Sequence, residues 1–497
     1  MKKKELLIIL GSLLVVVLSV TVAYFTTEIF GSGKEISASS ADLKIVFTSG
    51  SGTLVGTNIE PGWSSGVNTF TVKNESNGTY KYNIVIKDLI NTFVTTGYLQ
   101  YKITSADGGY NMSEFKDVPK RSTPKDTRLT YSVEIPKGKT HSYSIEFKYT
   151  NSANDQSEDM GKTLSGTLYI EKGTVDLHSP YIEGTLGWQI MDDNITRLTR
   201  SSFSAIFTTT NTGTIYKATE SIAGSTPKDV YYFAGDAKNN WVKFAGFYWR
   251  IIRTNHDGSI RLLYSGTRPD TTEGYIGTSA FNTEYNSPKY VGYMYGTDGS
   301  LSESRTNAND STIKTYIDNW YSTNLSRYSK YISTEAVYCN DRKAPSYNAS
   351  SSFDYYVYTR LSAGNPTYDC EDSKDAFSGS NSEAKLAYLI GLMTADEITY
   401  AGGYKYTNLA SPYAWYYLNS AGGSITGSTN WWSLSPMRWN GRSYVWNVNG
   451  SGRPGGLGSS SVVGSVGVRP VISIKQCALW SSGSGSSSSP YEVNGGC

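Results

Sequence analysis

WWSLSPMRWNGRSYVWNVNGSGRPGGLGSSSVVGSVGVRPVISI, residues 431–474, decides how the chain is read, because large aromatics at strand spacing alternate with small or irregular residues. Trp431 and Trp432 are packing residues first, since an aromatic ring buries a large area at little entropic cost. Trp439 and Trp446 flank the irregular positions, and if exposed they have rings to stack on a sugar or an aromatic side chain. No Asp or Glu lies between Glu397 and Glu492, whereas Lys405, Arg438, Arg442, Arg453, Arg469 and Lys475 all carry positive charge. The segment is suited to binding rather than to carboxylate chemistry. Arg438, Arg442 and Arg453, set among Trp and Tyr444, have the composition of binding hot spots. Arg469, beside Pro470 in GVRPV, is expected to make a structural hydrogen bond or ion pair at a strand start.

Beyond this segment the tail SSGSGSSSSPYEV is low in complexity and reads as flexible as far as Tyr491. Cys477 and Cys497 bracket it, and Cys339 and Cys370 share a loop-rich region, so bridges 339–370 and 477–497 are the simplest of the three pairings that four cysteines allow. No CxxC occurs, which removes the common zinc-ribbon and thioredoxin readings. Upstream, residues 384–403 (AKLAYLIGLMTADEITYAGG) and 311–332 read as amphipathic helices, the second placing Ile313, Tyr316, Ile317, Trp320 and Tyr321 on one stripe. Residues 229–266 give three strands, with Asn239-Asn240 and Asn255-His256-Asp257-Gly258 as turns. The region is therefore α+β, and its first and last strands are expected to pair.

Residues 36–171 change pattern. LKIVF (43–47), NTFTVKN (68–74), YKYNIVIKDL (80–89), LQYKITS (99–105), LTYSVEI (129–135), HSYSIEFKY (141–149) and GTLYIEK (166–172) alternate with period two between Asn, Gly and Ser punctuation. That pattern predicts an antiparallel β-sandwich with one packed and one wet face per strand. Ahead of it, Lys2 to Lys4 precede an uncharged run, residues 6–25, long enough to cross a hydrocarbon core of about 30 Å. It reads either as a membrane anchor with the rest of the chain outside or as a cleaved signal peptide, and in both cases the remaining residues are exported.

The whole chain is a multidomain protein of 497 residues, against roughly 100–200 residues per domain. Its parts are a signal or transmembrane segment (1–30), an all-β sandwich (31–172), a linker (173–187), an α+β domain (188–475) and the tail (476–497). A net charge of +2, with no basic run interleaved with aromatics, argues against nucleic acid as a partner. Catalysis and metals find little support. The three histidines, His141, His178 and His256, form no HExxH helix, the cysteines look paired, and no glycine-rich run ends in GK[ST]. Ca²⁺ needs several oxygen ligands, usually carboxylates, and residues 401–491 contain none. No catalytic residue, cofactor or metal is assigned.

Two resemblances add to this reading. AYFT at the end of the apolar run, SADLKIVF, and residues 59–86 (IEPGWSSGVNTFTVKNESNGTYKYNIVI) resemble the camelysin/TasA-like secreted β-sandwich proteins of Gram-positive bacteria, over roughly residues 1–172. That resemblance implies export and self-assembly into surface fibres. The metalloprotease activity ascribed to camelysin does not carry over, for want of metal ligands. YYFAGDAKNNWVKFAGFYWRIIR (231–253), LIGLMTADEITYAGG (389–403), NWWSLSP (430–436) and GVRPVISIK (467–475) are similar to exported bacterial domains with a C-type-lectin-like fold, over about residues 188–475. Some of those are variable proteins of diversity-generating retroelements, in which a segment ending before a G[VF]RP-type strand is rewritten.

The second resemblance implies a ligand-binding face within residues 437–466. The candidate contacts are Met437, Arg438, Trp439, Asn440, Arg442, Ser443, Tyr444, Trp446, Arg453, Leu457, Ser459, Ser460, Val463 and Val466. The segment departs from an Asn-rich template pattern, although AAY codons altered at adenines reach each of Arg, Gly, Ser, Val, Leu and Pro. Taken together, these readings predict a non-enzymatic, adhesin-like protein on the outer face of a Gram-positive-type membrane, or secreted if the N-terminal segment is cleaved. The sandwich would be its stalk and the lectin-like domain its head, with an unidentified protein or glycan as ligand. The alternative is a structural subunit of an extracellular fibre or matrix.

Overall fold

The computed structural model describes residues 36–40, 43–49, 59–95, 97–173 and 176–497, without side-chain detail for 36–49. The expected membrane or signal segment at 1–30 lies outside the described residues. Among those described, no helix is long and apolar enough to cross a membrane. The chain divides into two units, Met1–Asp176 and Leu177–Cys497.

In the first unit, one antiparallel sheet runs in the order Ile36–Ser40, Leu43–Ser49, Asn68–Asn74, Thr140–Tyr149, Leu99–Ser105, Lys116–Asp117. A second runs Leu164–Lys172, Tyr80–Asn91, Arg121–Arg128, with Val133–Ile135 also pairing to the long strand. Alternate residues of the two sheets, among them Val72, Ile103, Ile145 and Phe147 facing Ile84, Ile86, Leu168 and Ile170, close one core. Each such side chain contributes roughly 1.5–3 kcal/mol by leaving water. Period-two alternation placed most of these strands. It missed Arg121–Arg128, whose sequence RSTPKDTR is almost wholly exposed. Pro124 and the charges suit that position at the margin of its sheet, where a missing N–H is tolerated. The expected strand 129–135 shortens to Val133–Ile135 because Ser132 takes a left-handed φ of 47°, which ends the extended run.

The second unit is mostly sheet with short helices. Its main ladder is antiparallel: Trp241–Phe244, Phe247–Thr254, Ile260–Tyr264 and Pro470–Ile474. The end of the chain returns to this ladder. Tyr491–Val493 pairs in parallel with Trp241–Phe244, and Trp480–Ser482 pairs with it in turn. Within the tail 476–497, Trp480–Ser482 and Tyr491–Val493 thus lie at the margin of the sheet. Tyr491 is fully buried and its hydroxyl donates to Asp193 Oδ2 at 2.9 Å. The linker is likewise shorter than 173–187. The second unit begins at Leu177, and the helix Leu186–Asp193, capped by Thr185, hydrogen-bonds through Leu186 N–H to Ala478 O. Both expected disulfides form, Cys339–Cys370 and Cys477–Cys497.

The stripe in 311–332 becomes the helix Thr312–Asn324, which buries Ile313, Ile317 and Tyr321, followed by a 3₁₀ turn at Ser326–Tyr331. The helix expected over 384–403 spans only Ala395–Ala401. Thr394 and Glu397 form a capping box that fixes its start, and Gly402, at φ 121°, ends it. Ahead of the cap, Gly391–Leu392 pairs as a strand with Val471 and Pro470. Gly391 packs so closely on the Tyr338 ring that a Cβ there would lie 2.5 Å from it.

Candidate ligand-binding face

Residues 431–461 form a second sheet: Trp431–Trp439, Ser443–Val448 and Leu457–Ser461, antiparallel, flanked by Val466–Gly467 and by Phe353–Asp354. Trp439 and Ser443 are joined through Asn440-Gly441-Arg442, where Gly441 supplies a φ of 85° that a branched residue would resist. Residues directly opposite each other in an antiparallel ladder share a face. Arg438 faces Tyr444, Tyr444 faces Ser461, and Trp446 faces Ser459, so these five side chains stand on one side of the sheet. The other side packs into the core through Val445 and its neighbours, and on the Trp446 side Trp446, Val448 and Leu457 belong to the same core.

Trp446 is the centre of that side. Tyr358, from the helix Tyr356–Ser362, stacks on its indole with centroids 5.9 Å apart and an interplanar angle of 16°. Tyr406 lies against it at 5.9 Å and 42°. Tyr406 holds a left-handed φ of 51°, uncommon for a bulky residue. Cations sit over the outer rings: Arg438 at 5.5 Å and Lys405 at 5.4 Å from the Tyr358 centroid, and Arg453 at 5.5 Å from that of Tyr406. Arg438 Nε pairs with Asp354 Oδ1 at 2.6 Å, and Lys405 Nζ donates to Ser362 Oγ at 2.7 Å. Among the described residues neither Lys405 nor Arg453 has a carboxylate partner, and the indole N–H of Trp446 and the hydroxyl of Ser461 have no hydrogen-bond partner. Burial raises the Tyr406 pKa, so its phenol stays neutral at physiological pH.

The structure sorts the candidate contacts into four groups. Met437, Trp439, Ser443, Trp446, Leu457 and Val466 are buried. Trp439 Nε1 donates to Ala349 O, Ser443 Oγ donates to Ser287 O, and Val466 pairs with Ser279. The condition for stacking on Trp439 or Trp446 is thus unmet, as both indoles are covered. Arg438, Tyr444, Ser459 and Arg453 come together with Tyr358, Lys405 and Tyr406 around the Trp446 side of the sheet. Asn440, Arg442 and Val463 are exposed, and Arg442 lies over the Tyr285 ring at 4.5 Å. Ser460 points to the opposite side, where its hydroxyl accepts from Asn447 Nδ2. Sequence spacing left Arg438 without a carboxylate. Asp354 supplies it through a strand pairing 84 residues away that no local pattern announces. Arg469 is buried as expected, donating to Tyr264 O, Tyr416 O and Ser265 Oγ.

A second cluster lies inside the unit. Arg253 Nη2 meets Glu220 Oε1 at 2.8 Å and its Nε meets Glu397 Oε1 at 3.0 Å. Arg261 Nε meets the same Glu397 oxygen at 2.6 Å. His256 Nδ1 lies 3.2 Å from Glu220 Oε2, and Arg360 with Asp341 and Asp396 lines the same small cavity beside Cys339. Burial alone would raise the Glu220 pKa, but the Arg253 guanidinium outweighs it and lowers the value to about 2. Burial would lower that of His256, and the bond to Glu220 overrides it and raises the pKa. His256 is thereby engaged as a brace, which its place in an Asp-Gly turn did not reveal. Among the described residues, no group of three or more His, Cys, Asp or Glu is arranged to hold a metal ion. No protein-family model matches this chain, and no curated protein shows significant similarity to it.

Proposed function

We propose that this chain is an exported, surface-displayed binding protein whose second unit, of C-type-lectin-like type, presents the Trp446 side of the sheet 431–461 to a ligand, carried by a camelysin/TasA-like first unit. The observation that carries the reading is the arrangement around Trp446. Two Tyr rings and three cations surround a buried indole on a rigid antiparallel sheet, with donors left unsatisfied. Such a set is adapted to recognition, since aromatic and Arg side chains at a well-supported surface dominate binding energies. Two disulfides fit an oxidising, extracellular compartment. Rewriting by a retroelement would act on the exposed and half-exposed positions, Arg438, Asn440, Arg442, Tyr444, Arg453, Ser459 and Val463, while the buried Trp and Val positions hold the frame.

The test is adhesion of Gram-positive cells displaying the full chain, set beside cells displaying Arg438→Ala/Arg453→Ala. The proposal predicts at least a severalfold loss of adhesion with unchanged display. Unchanged adhesion, together with filaments on electron micrographs of both strains, would favour the structural-subunit reading instead.

A further inference from the structure

We infer that the Trp446 face recognises a carboxylated polysaccharide, a uronate-type acidic sugar chain, and this inference rests on the binding-face reading above. Charge is the first ground. Lys405, Arg438 and Arg453 surround the aromatic cluster, and among the described residues Arg438 is paired with a carboxylate, Asp354, while the other two are not, so the face carries a local excess of positive charge.

Hydrogen-bond polarity is the second ground, and it is independent of the first. The buried polar atoms on this side without a partner among the described residues are the indole N–H of Trp446 and the hydroxyl of Ser461, and the accessible Lys405 ammonium and Arg453 guanidinium beside them can only donate. A buried donor left unmatched is costly, and an acceptor-rich anion satisfies it. Tyr358 and Tyr406 stand directly over that indole, and Tyr406 keeps its left-handed backbone there.

The apolar component selects sugar over peptide. What the face offers outside the core is ring surface, on Tyr358, Tyr406 and Tyr444, flanked by cations and by the Ser459 hydroxyl. Pyranose C–H faces stack on aromatic rings, while a carboxylate on the same ring reaches a guanidinium or ammonium beside it.

The experiment measures binding of the purified full chain to immobilised polygalacturonate, to its methyl-esterified form, and to poly-L-glutamate, at about 0.1 M and about 0.5 M salt, where exposed charge pairs are respectively partly and strongly screened. The expected result is binding to polygalacturonate that weakens with salt, roughly tenfold weaker binding to the ester and to poly-L-glutamate, and a further roughly tenfold loss for Lys405→Ala/Arg453→Ala. Arg453→Lys, which keeps the charge, should retain most of the affinity. Equal binding to the esterified polymer, stronger binding to poly-L-glutamate, an unaffected double variant, or no polymer bound at all would overturn the inference. If adhesion of displaying cells still depends on Arg438 and Arg453 while polygalacturonate fails, the ligand class is wrong and the binding face stands. If adhesion is indifferent to both, the face itself is wrong.

Discussion

Arg253→Met is expected to lower the stability of the second unit by about 3–5 kcal/mol, the range for removing one member of a buried ion pair and leaving its partner charge uncompensated. Arg253 bridges Glu220 and Glu397, and both carboxylates are essentially inaccessible to water. Arg261 and His256 still touch one carboxylate each, which keeps the cost inside that range. The substitution should also reshape the pH profile of stability. Glu220, depressed to about 2, contributes stability that is present above its ordinary value of 4.5 and is lost as pH falls toward 2. His256, raised, contributes stability that is present below 6.5 and is lost as pH rises through its folded value. Native stability should therefore peak between those two limits. In Arg253→Met the acid-side loss should flatten, because Glu220 is then no longer held so low. Urea unfolding across a pH series reads both effects, and a variant with native stability and a native profile would show that the network is ornamental.

Replacing Cys339 and Cys370 by Ser is expected to destabilise the same unit by about 4 kcal/mol, the chain-entropy value for a loop of 31 residues. The bridge encloses more than loop. Asp354, which pairs with Arg438, and Tyr358, which covers Trp446, both lie between the two cysteines. Loosening this segment should weaken ligand binding as well as stability. The Cys477–Cys497 bridge, with a separation of 20 residues at the sheet margin, should give about 3 kcal/mol and leave binding intact. Thermal unfolding of the two Cys→Ser pairs, beside adhesion of cells displaying them, separates the effects. Equal loss of adhesion in both pairs would mean that the bridge at 339 acts through stability alone.

What the sequence made legible came from local periodicity. Asn68–Asn74 and Leu99–Ser105 could be read residue by residue because Val72 and Ile103 alternate with less buried polar neighbours. The helix Thr312–Asn324 announced itself through Ile313, Ile317 and Tyr321 at helical spacing. Arg121–Arg128 was illegible, since a marginal strand that buries almost nothing has no reason to alternate. The helix at 395–401 was overextended because the apolar run 384–393 belongs to packed loop and a short strand, and the capping pair Thr394/Glu397 was the better signal. The candidate face was half legible. Its strands and Arg438, Tyr444 and Arg453 came from one segment, whereas Asp354, Tyr358 and Tyr406 arrive through long-range pairing. The exposure on which stacking by Trp439 and Trp446 depended is unmet for a physical reason. An indole on a half-covered sheet gains more by burial under neighbouring rings than by waiting for a ligand.

Whether the Trp446 side of the sheet is where ligand binds is tested most directly by hydrogen–deuterium exchange of the full chain, free and with its strongest-binding polymer. The expected result is new protection confined to residues 354–358, 403–407, 438–446 and 453–461, with the Arg253 network unchanged. Protection confined to the first unit, or absent from all four of those segments, would contradict a binding face at Trp446.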